Sequence, residues 1–83
     1  NPAAPSDPPV QSLLSDRELE IFAMIGEGKT TDQIARSLFL SPKTIRAHRY
    51  NIMKKLEIKG SIQLYQRSFA WVGERRGPAE PPS

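Results

Sequence analysis

Residues 41–56 read Ser-Pro-Lys-Thr-Ile-Arg-Ala-His-Arg-Tyr-Asn-Ile-Met-Lys-Lys-Leu. Wound as an α-helix at about 100° per residue, they divide into two opposed flanks. Ile45, Ile52 and Leu56 fall within one narrow arc, while Lys43, Arg46, Ala47, Tyr50, Asn51 and Lys54 cover a wide arc opposite. The narrow flank is fitted for burial. The wide flank presents cations, hydrogen-bonding tips and one small residue, a mixture suited to the edges of a major groove. Ser41 is a favoured N-cap, and Pro42 takes the first helical position, where a missing N–H costs nothing.

Upstream, only Phe39 and Leu40 separate Ser41 from Leu38, the last member of an Ile34, Ala35, Leu38 stripe. That stripe belongs to a short helix opened by Thr30 and Gln33, the spacing of a capping box. Two helices joined this tightly cross steeply, which is the helix-turn-helix geometry. Ala35 is small where the two must approach, and Ile45, ten residues on, is the core plug of the second. The position four after Ala35 often needs a positive φ, and here it is Phe39. A non-glycine residue in that region costs roughly 1–2 kcal/mol, so the turn is either strained or differently shaped.

Further out, Ser15 and Glu18 form a second capping box, followed by Leu19, Ile21, Phe22, Ala23 and Ile25 as an apolar face. Gly26 and Gly28 are expected to end that first helix. Beyond Leu56, Gly60-Ser61 opens a fourth helix that runs to about Val72. Its Ile62, Tyr65, Phe69 and Val72 line one flank and Leu64 and Trp71 the next, a broader apolar surface than a terminal helix needs. The excess marks Ile62, Leu64, Tyr65, Phe69 and Trp71 as a candidate interface between two copies. No period-2 alternation signals a strand. The expected fold class is all-α, a four-helix domain containing a helix-turn-helix.

The 83 residues suffice for one small domain. Residues 1–12 hold Pro2, Pro5, Pro8 and Pro9 and little that is large and apolar, and residues 73–83 are similarly poor. Both are expected to be disordered, as linker and tail, around a folded segment 13–72. The start at Asn1 suggests a piece of a longer protein, cut at a proline-rich linker. Without cysteine there is no disulfide or thiolate metal site, which fits a reducing, cytoplasmic setting. No apolar run is long enough for a membrane span.

The net charge of +3 is modest, but it is polarised. Residues 43–59 carry Lys43, Arg46, Arg49, Lys54, Lys55 and Lys59 against Glu57 alone, while residues 16–27 carry four acids against Arg17. Lys43 and Thr44 stand at a helix N-terminus, which favours anions, and Lys54 follows roughly 16 Å along the axis. These three are candidate phosphate contacts, joined by Thr30 and Thr31 at the start of the second helix. His48, the only histidine, lies at the edge of the core arc, where it ties the helix to a neighbour. Arg49 flanks the core arc on the other side; its head is expected on a first-helix carboxylate, Glu18 or Glu20. One histidine, no cysteine and no facing acid/base pair leave nothing for catalysis, and no cofactor or metal is called for.

Four blocks now stand in register: Leu-Ser-Asp-Arg-Glu-Leu-Glu-Ile (14–21), Gly-Lys-Thr-Thr-Asp-Gln-Ile-Ala (28–35), Leu-Ser-Pro-Lys-Thr-Ile-Arg-Ala-His (40–48) and Ile-Met-Lys-Lys-Leu (52–56). Over about residues 14–72 the chain resembles the LuxR/FixJ/NarL-type DNA-binding domain of bacterial transcription regulators. Phe39 and Glu57 depart from the commonest pattern, at helix ends where Gly or Asn is frequent. The resemblance implies a third helix in the major groove of double-stranded DNA, with Arg46, Ala47 and Tyr50 meeting base edges. It also implies a fourth helix that pairs two protomers, and a place behind a receiver or ligand-sensing domain. A helical protein-interaction module is the first alternative, but it leaves the cationic helix without a role. A sigma-factor-like promoter-reading helix-turn-helix shares the Ile-Ala…Ser…Thr pattern. The Ile-Arg-Ala-His run, and a further helix after Lys-Lys-Leu, fit the LuxR/FixJ/NarL type better.

Overall fold

A computed structural model describes residues 9–76 of the chain. They form α1 (Val10–Leu13), α2 (Asp16–Gly26), α3 (Thr31–Leu38), α4 (Pro42–Leu56) and α5 (Ser61–Arg76), with no strand among the described residues. The all-α class with a helix-turn-helix (α3–α4) is as expected. The helix count is not, because α1 precedes the four anticipated.

Local chemistry sets the starts. Ser15 Oγ accepts from the Glu18 amide at 3.2 Å while the Glu18 carboxylate accepts from the Ser15 amide at 2.8 Å. Thr30 and Gln33 repeat the arrangement at 3.1 and 2.9 Å. Ser41 Oγ accepts from the Thr44 amide at 3.1 Å, with Pro42 opening α4. Each cap satisfies amides that a first turn leaves without partners.

The ends share one device. Just past α2, α3 and α4 an amide returns to a carbonyl five residues back: Lys29 to Met24, Leu40 to Ala35 and Ile58 to Met53, at 2.8–3.1 Å. This closure requires a left-handed residue between, supplied by Gly28 (φ 90°), Phe39 (φ 58°) and Glu57 (φ 58°). The turn at Phe39 keeps its usual shape and carries the strain, about 1–2 kcal/mol.

The core is built from Ile21, Phe22 and Ile25 of α2, Ile34 and Ala35 of α3, Ile45, Ile52 and Leu56 of α4, and Leu64 of α5, with Leu14 and Ile58 from the connections. The narrow flank of α4 is therefore buried, as its periodicity requires. α2 is the hub, packed on α5 along one side and on α4 along another, while α3 rests mainly on α4.

One expectation about helix faces is corrected. Gly26 ends α2 as expected, but it is also buried where α5 crosses. Opposite it lies Ser68, fully buried, its hydroxyl donating to the Leu64 and Tyr65 carbonyls of its own helix. With its polar group satisfied in this way, Ser68 acts as a small residue and lets the two backbones approach. The inner side of α5 is accordingly Leu64, Ser68 and the half-buried Trp71 and Val72. Trp71 packs on Phe22 with ring centroids 5.5 Å apart. Leu64 and Trp71 thus leave the candidate interface.

The folded boundaries also differ from 13–72. Val10 and Leu13 of α1 pack against the core, so part of the supposed linker is folded. α5 continues to Arg76, through the first residues assigned to the tail. The remainder of the expected disordered ends, residues 1–8 and 77–83, lies outside the described residues.

Candidate nucleic-acid interface

α4 presents its wide flank to solvent along the whole helix. Lys43, Arg46, Ala47, Tyr50, Asn51 and Lys54 are all exposed, Tyr50 by 65%. Arg46 and Tyr50 are one turn apart, about 6 Å along the axis. Lys54 Nζ lies 5.9 Å from the centre of the Tyr50 ring, a cation–π arrangement that orients both side chains on one surface.

The ion pairs among the described residues are Arg17–Glu20 at 3.4 Å, Lys29–Glu27 at 3.7 Å and Lys55–Glu18 at 2.7 Å. None involves Lys43, Arg46 or Lys54. Their charge stays uncompensated on one helix flank, the distribution that attracts a polyanion. Asp16, Glu18 and Glu20 gather instead on α2, with Glu27 just past its end.

The remaining candidates are arranged less simply. Thr44 is half-buried, its hydroxyl 2.9 Å from that of Ser41, so it reinforces the cap of α4. Thr30 accepts from Gln33, which leaves its own proton to donate, and Thr31 is half-buried at the first turn of α3. His48 and Arg49 are half-buried on the two sides of the core arc.

The expected pairing of Arg49 with Glu18 or Glu20 is not found. Glu20 pairs with Arg17, and Glu18 takes Lys55. Sequence reasoning missed Lys55 because both lysines of Lys54-Lys55 read as surface charges. One turns outward to Tyr50 and the other inward to α2. A single Glu18 oxygen accepts from both the Ser15 amide and Lys55, which ties the cap of α2 to the last turn of α4. Burial is the largest influence on the Glu18 carboxyl and pushes its pKa up, yet the Lys55 and Ser15 hydrogen bonds and the Lys55 charge together hold it below the ordinary carboxylate value.

A carboxylate depressed in the folded state contributes stability above its unfolded pKa and loses it as pH falls through the folded value. Glu18→Gln should therefore lower the urea midpoint at pH 7, and the gap to wild type should close on acidification through and below the ordinary carboxylate range. A gap that stays constant down to pH 2.5–3, roughly a unit below that range, would show that the Glu18 charge adds nothing.

No helix among the described residues is long and apolar enough to cross a membrane. The chain is similar over 51 residues (61% of its length) to an uncharacterized response regulatory protein, YgeK, of Escherichia coli K12, at 51% identity. Over the same length it is 49% identical to the spore germination protein GerE of Bacillus subtilis 168, and 45% identical to the response regulator UvrY of E. coli K12. These matches cover 35%, 69% and 23% of the respective relatives. Bacterial regulatory proteins of the luxR family match residues 12–68, a span that takes in α2, α3, α4 and half of α5. With that match covering most of the chain and its helix-turn-helix in place, the chain belongs to the luxR family of bacterial regulatory proteins.

Proposed function

We propose that this chain is the DNA-binding effector part of a transcription regulator, placing α4 in the major groove of double-stranded DNA. The observation that carries this reading is the unpaired cationic flank of α4, opposite a flank wholly committed to the core. Arg46 bonds a guanine edge, Ala47 permits close approach and Tyr50 reads a neighbouring base. Lys43 and Lys54 hold phosphates at separate points of the backbone, assisted by the hydroxyls of Thr44, Thr30 and Thr31.

Two copies pair on DNA through the outward side of α5. Ile62, Tyr65 and Phe69 are exposed by 75, 44 and 60%, and the Tyr65 and Phe69 rings lie 5.8 Å apart. Spacings of three and four residues put them on one stripe. Response regulators among the relatives support an upstream receiver or sensor domain, and the assembled protein acts in the bacterial cytoplasm. The chain holds no enzyme role.

Selection of bound sites from random duplex DNA tests this directly, returning the half-site and its spacing. On the selected duplex Arg46→Ala should lose about 1–3 kcal/mol of discrimination, roughly 5- to 150-fold. Equal losses on selected and random DNA would remove base reading from Arg46. Affinity should fall with salt at a log–log slope of about −0.9 per phosphate neutralised. A protein-interaction module would show no such binding. Phe69→Ser should convert two-copy occupancy to weaker single-copy binding; unchanged stoichiometry by native mass would remove α5 from the pairing role.

A further inference from the structure

Phe39 is the largest surplus in the molecule. Its ring is 93% exposed, the most open of the large apolar side chains, and its backbone is left-handed at φ 58°, ψ 42°. Either feature alone opposes stability. Glycine would make the same turn without strain, and a polar side chain would sit in water without exposing a ring. The core makes no use of it. Packing and turn chemistry therefore give no reason for phenylalanine at this position.

Its backbone is also held firmly. The Phe39 and Leu40 amides donate to the Arg36 and Ala35 carbonyls at 3.4 and 2.9 Å, and two residues later Ser41 caps α4. The ring thus projects from a fixed point between α3 and α4. When a helix-turn-helix docks, its first helix crosses the DNA backbone while the N-terminal residues of the second reach base edges. The short turn joining them is carried to the rim of the groove. What that rim offers an apolar ring is the C–H face of deoxyribose and, just inside, thymine methyl groups.

We propose that Phe39 is an apolar DNA contact, packing on the sugar-phosphate strand beside the N-terminus of α4; this rests on the duplex-binding reading above. The ring excludes water next to Lys43 and fixes how deeply α4 enters. Strain and exposure in the free protein are offset only when the ring is covered by DNA.

The test uses the 83-residue chain, a duplex selected from the random pool, and Phe39→Gly, Phe39→Asn and Phe39→Tyr. Gly and Asn both tolerate the left-handed backbone. Phe39→Gly and Phe39→Asn should raise the urea midpoint yet weaken duplex affinity about tenfold, with the salt slope unchanged because no phosphate charge is lost. Phe39→Tyr, which keeps the ring face, should retain affinity. Wild-type affinity in Phe39→Gly and Phe39→Asn would overturn the proposal and point the ring toward a protein partner. A wild-type chain without salt-dependent duplex binding would defeat the underlying reading as well, and that result appears before any variant is made.

Discussion

Gly26→Ala is expected to destabilise the domain by about 3 kcal/mol, the upper end of what overpacking usually costs. A Cβ at this position would overlap the Ser68 carbonyl oxygen, stand 2.7 Å from its carbon and 2.8 Å from a Val72 methyl. Two of those three atoms are backbone and have no rotamer to escape into. α5 would have to lift from α2, parting Trp71 from Phe22 and opening the contact that buries Leu64. Against this, alanine in a helix gains only about 1 kcal/mol over glycine. A domain of this size has about 3–10 kcal/mol in total, so the variant should be largely unfolded or melt far below wild type. Far-UV circular dichroism against temperature reads the result. A variant as stable as wild type would mean that α5 is not seated on Gly26.

Nearby Gly28 makes a useful contrast. Nothing lies within 4 Å of a Cβ built there, so its need is conformational alone, set by φ 90°. Gly28→Ala should cost only the strain of the left-handed region, about 1–2 kcal/mol.

Ile45→Ala is expected to cost about 2–5 kcal/mol, the range for removing a large aliphatic side chain from a packed core. Ile45 is completely buried near the N-terminal end of α4, against the core that α2 and α3 also form. Its loss leaves a cavity where the helix carrying Arg46, Ala47 and Tyr50 is anchored. Duplex binding should weaken along with folding, whereas Arg46→Ala should spare the urea midpoint. Ile45→Val removes one methylene and should cost about 0.5–1.5 kcal/mol, giving a graded series that separates seating from chemistry. If Ile45→Ala kept the wild-type midpoint, the inward flank of α4 would be misassigned.

These two residues mark the divide between what was legible and what was not. Ile45 could be read in advance because helical periodicity places it with Ile52 and Leu56 and away from every cation of the same segment. The starts of α2, α3 and α4 were equally legible, since each cap joins residues three apart. The outward flank of α4 follows from the same arithmetic. All of this is local, contained within a few turns of one helix.

Gly26 was legible only as a possible stop, and Ser68 not at all, because an apolar pattern passes over a buried hydroxyl that bonds its own helix. The choice between the two flanks of α5 and the inward turn of Lys55 to Glu18 belong with them. Each depends on where one helix axis lies relative to another, and that is set by backbone approach across residues more than thirty positions apart, such as 26 and 68 or 18 and 55. Sequence alone determined the starts of α2, α3 and α4, their caps and the charged surface of α4. Tertiary structure decided which side of α5 remains for a partner, because only the close passage of α5 over Gly26 buries Leu64, half-buries Trp71 and leaves Ile62, Tyr65 and Phe69 exposed.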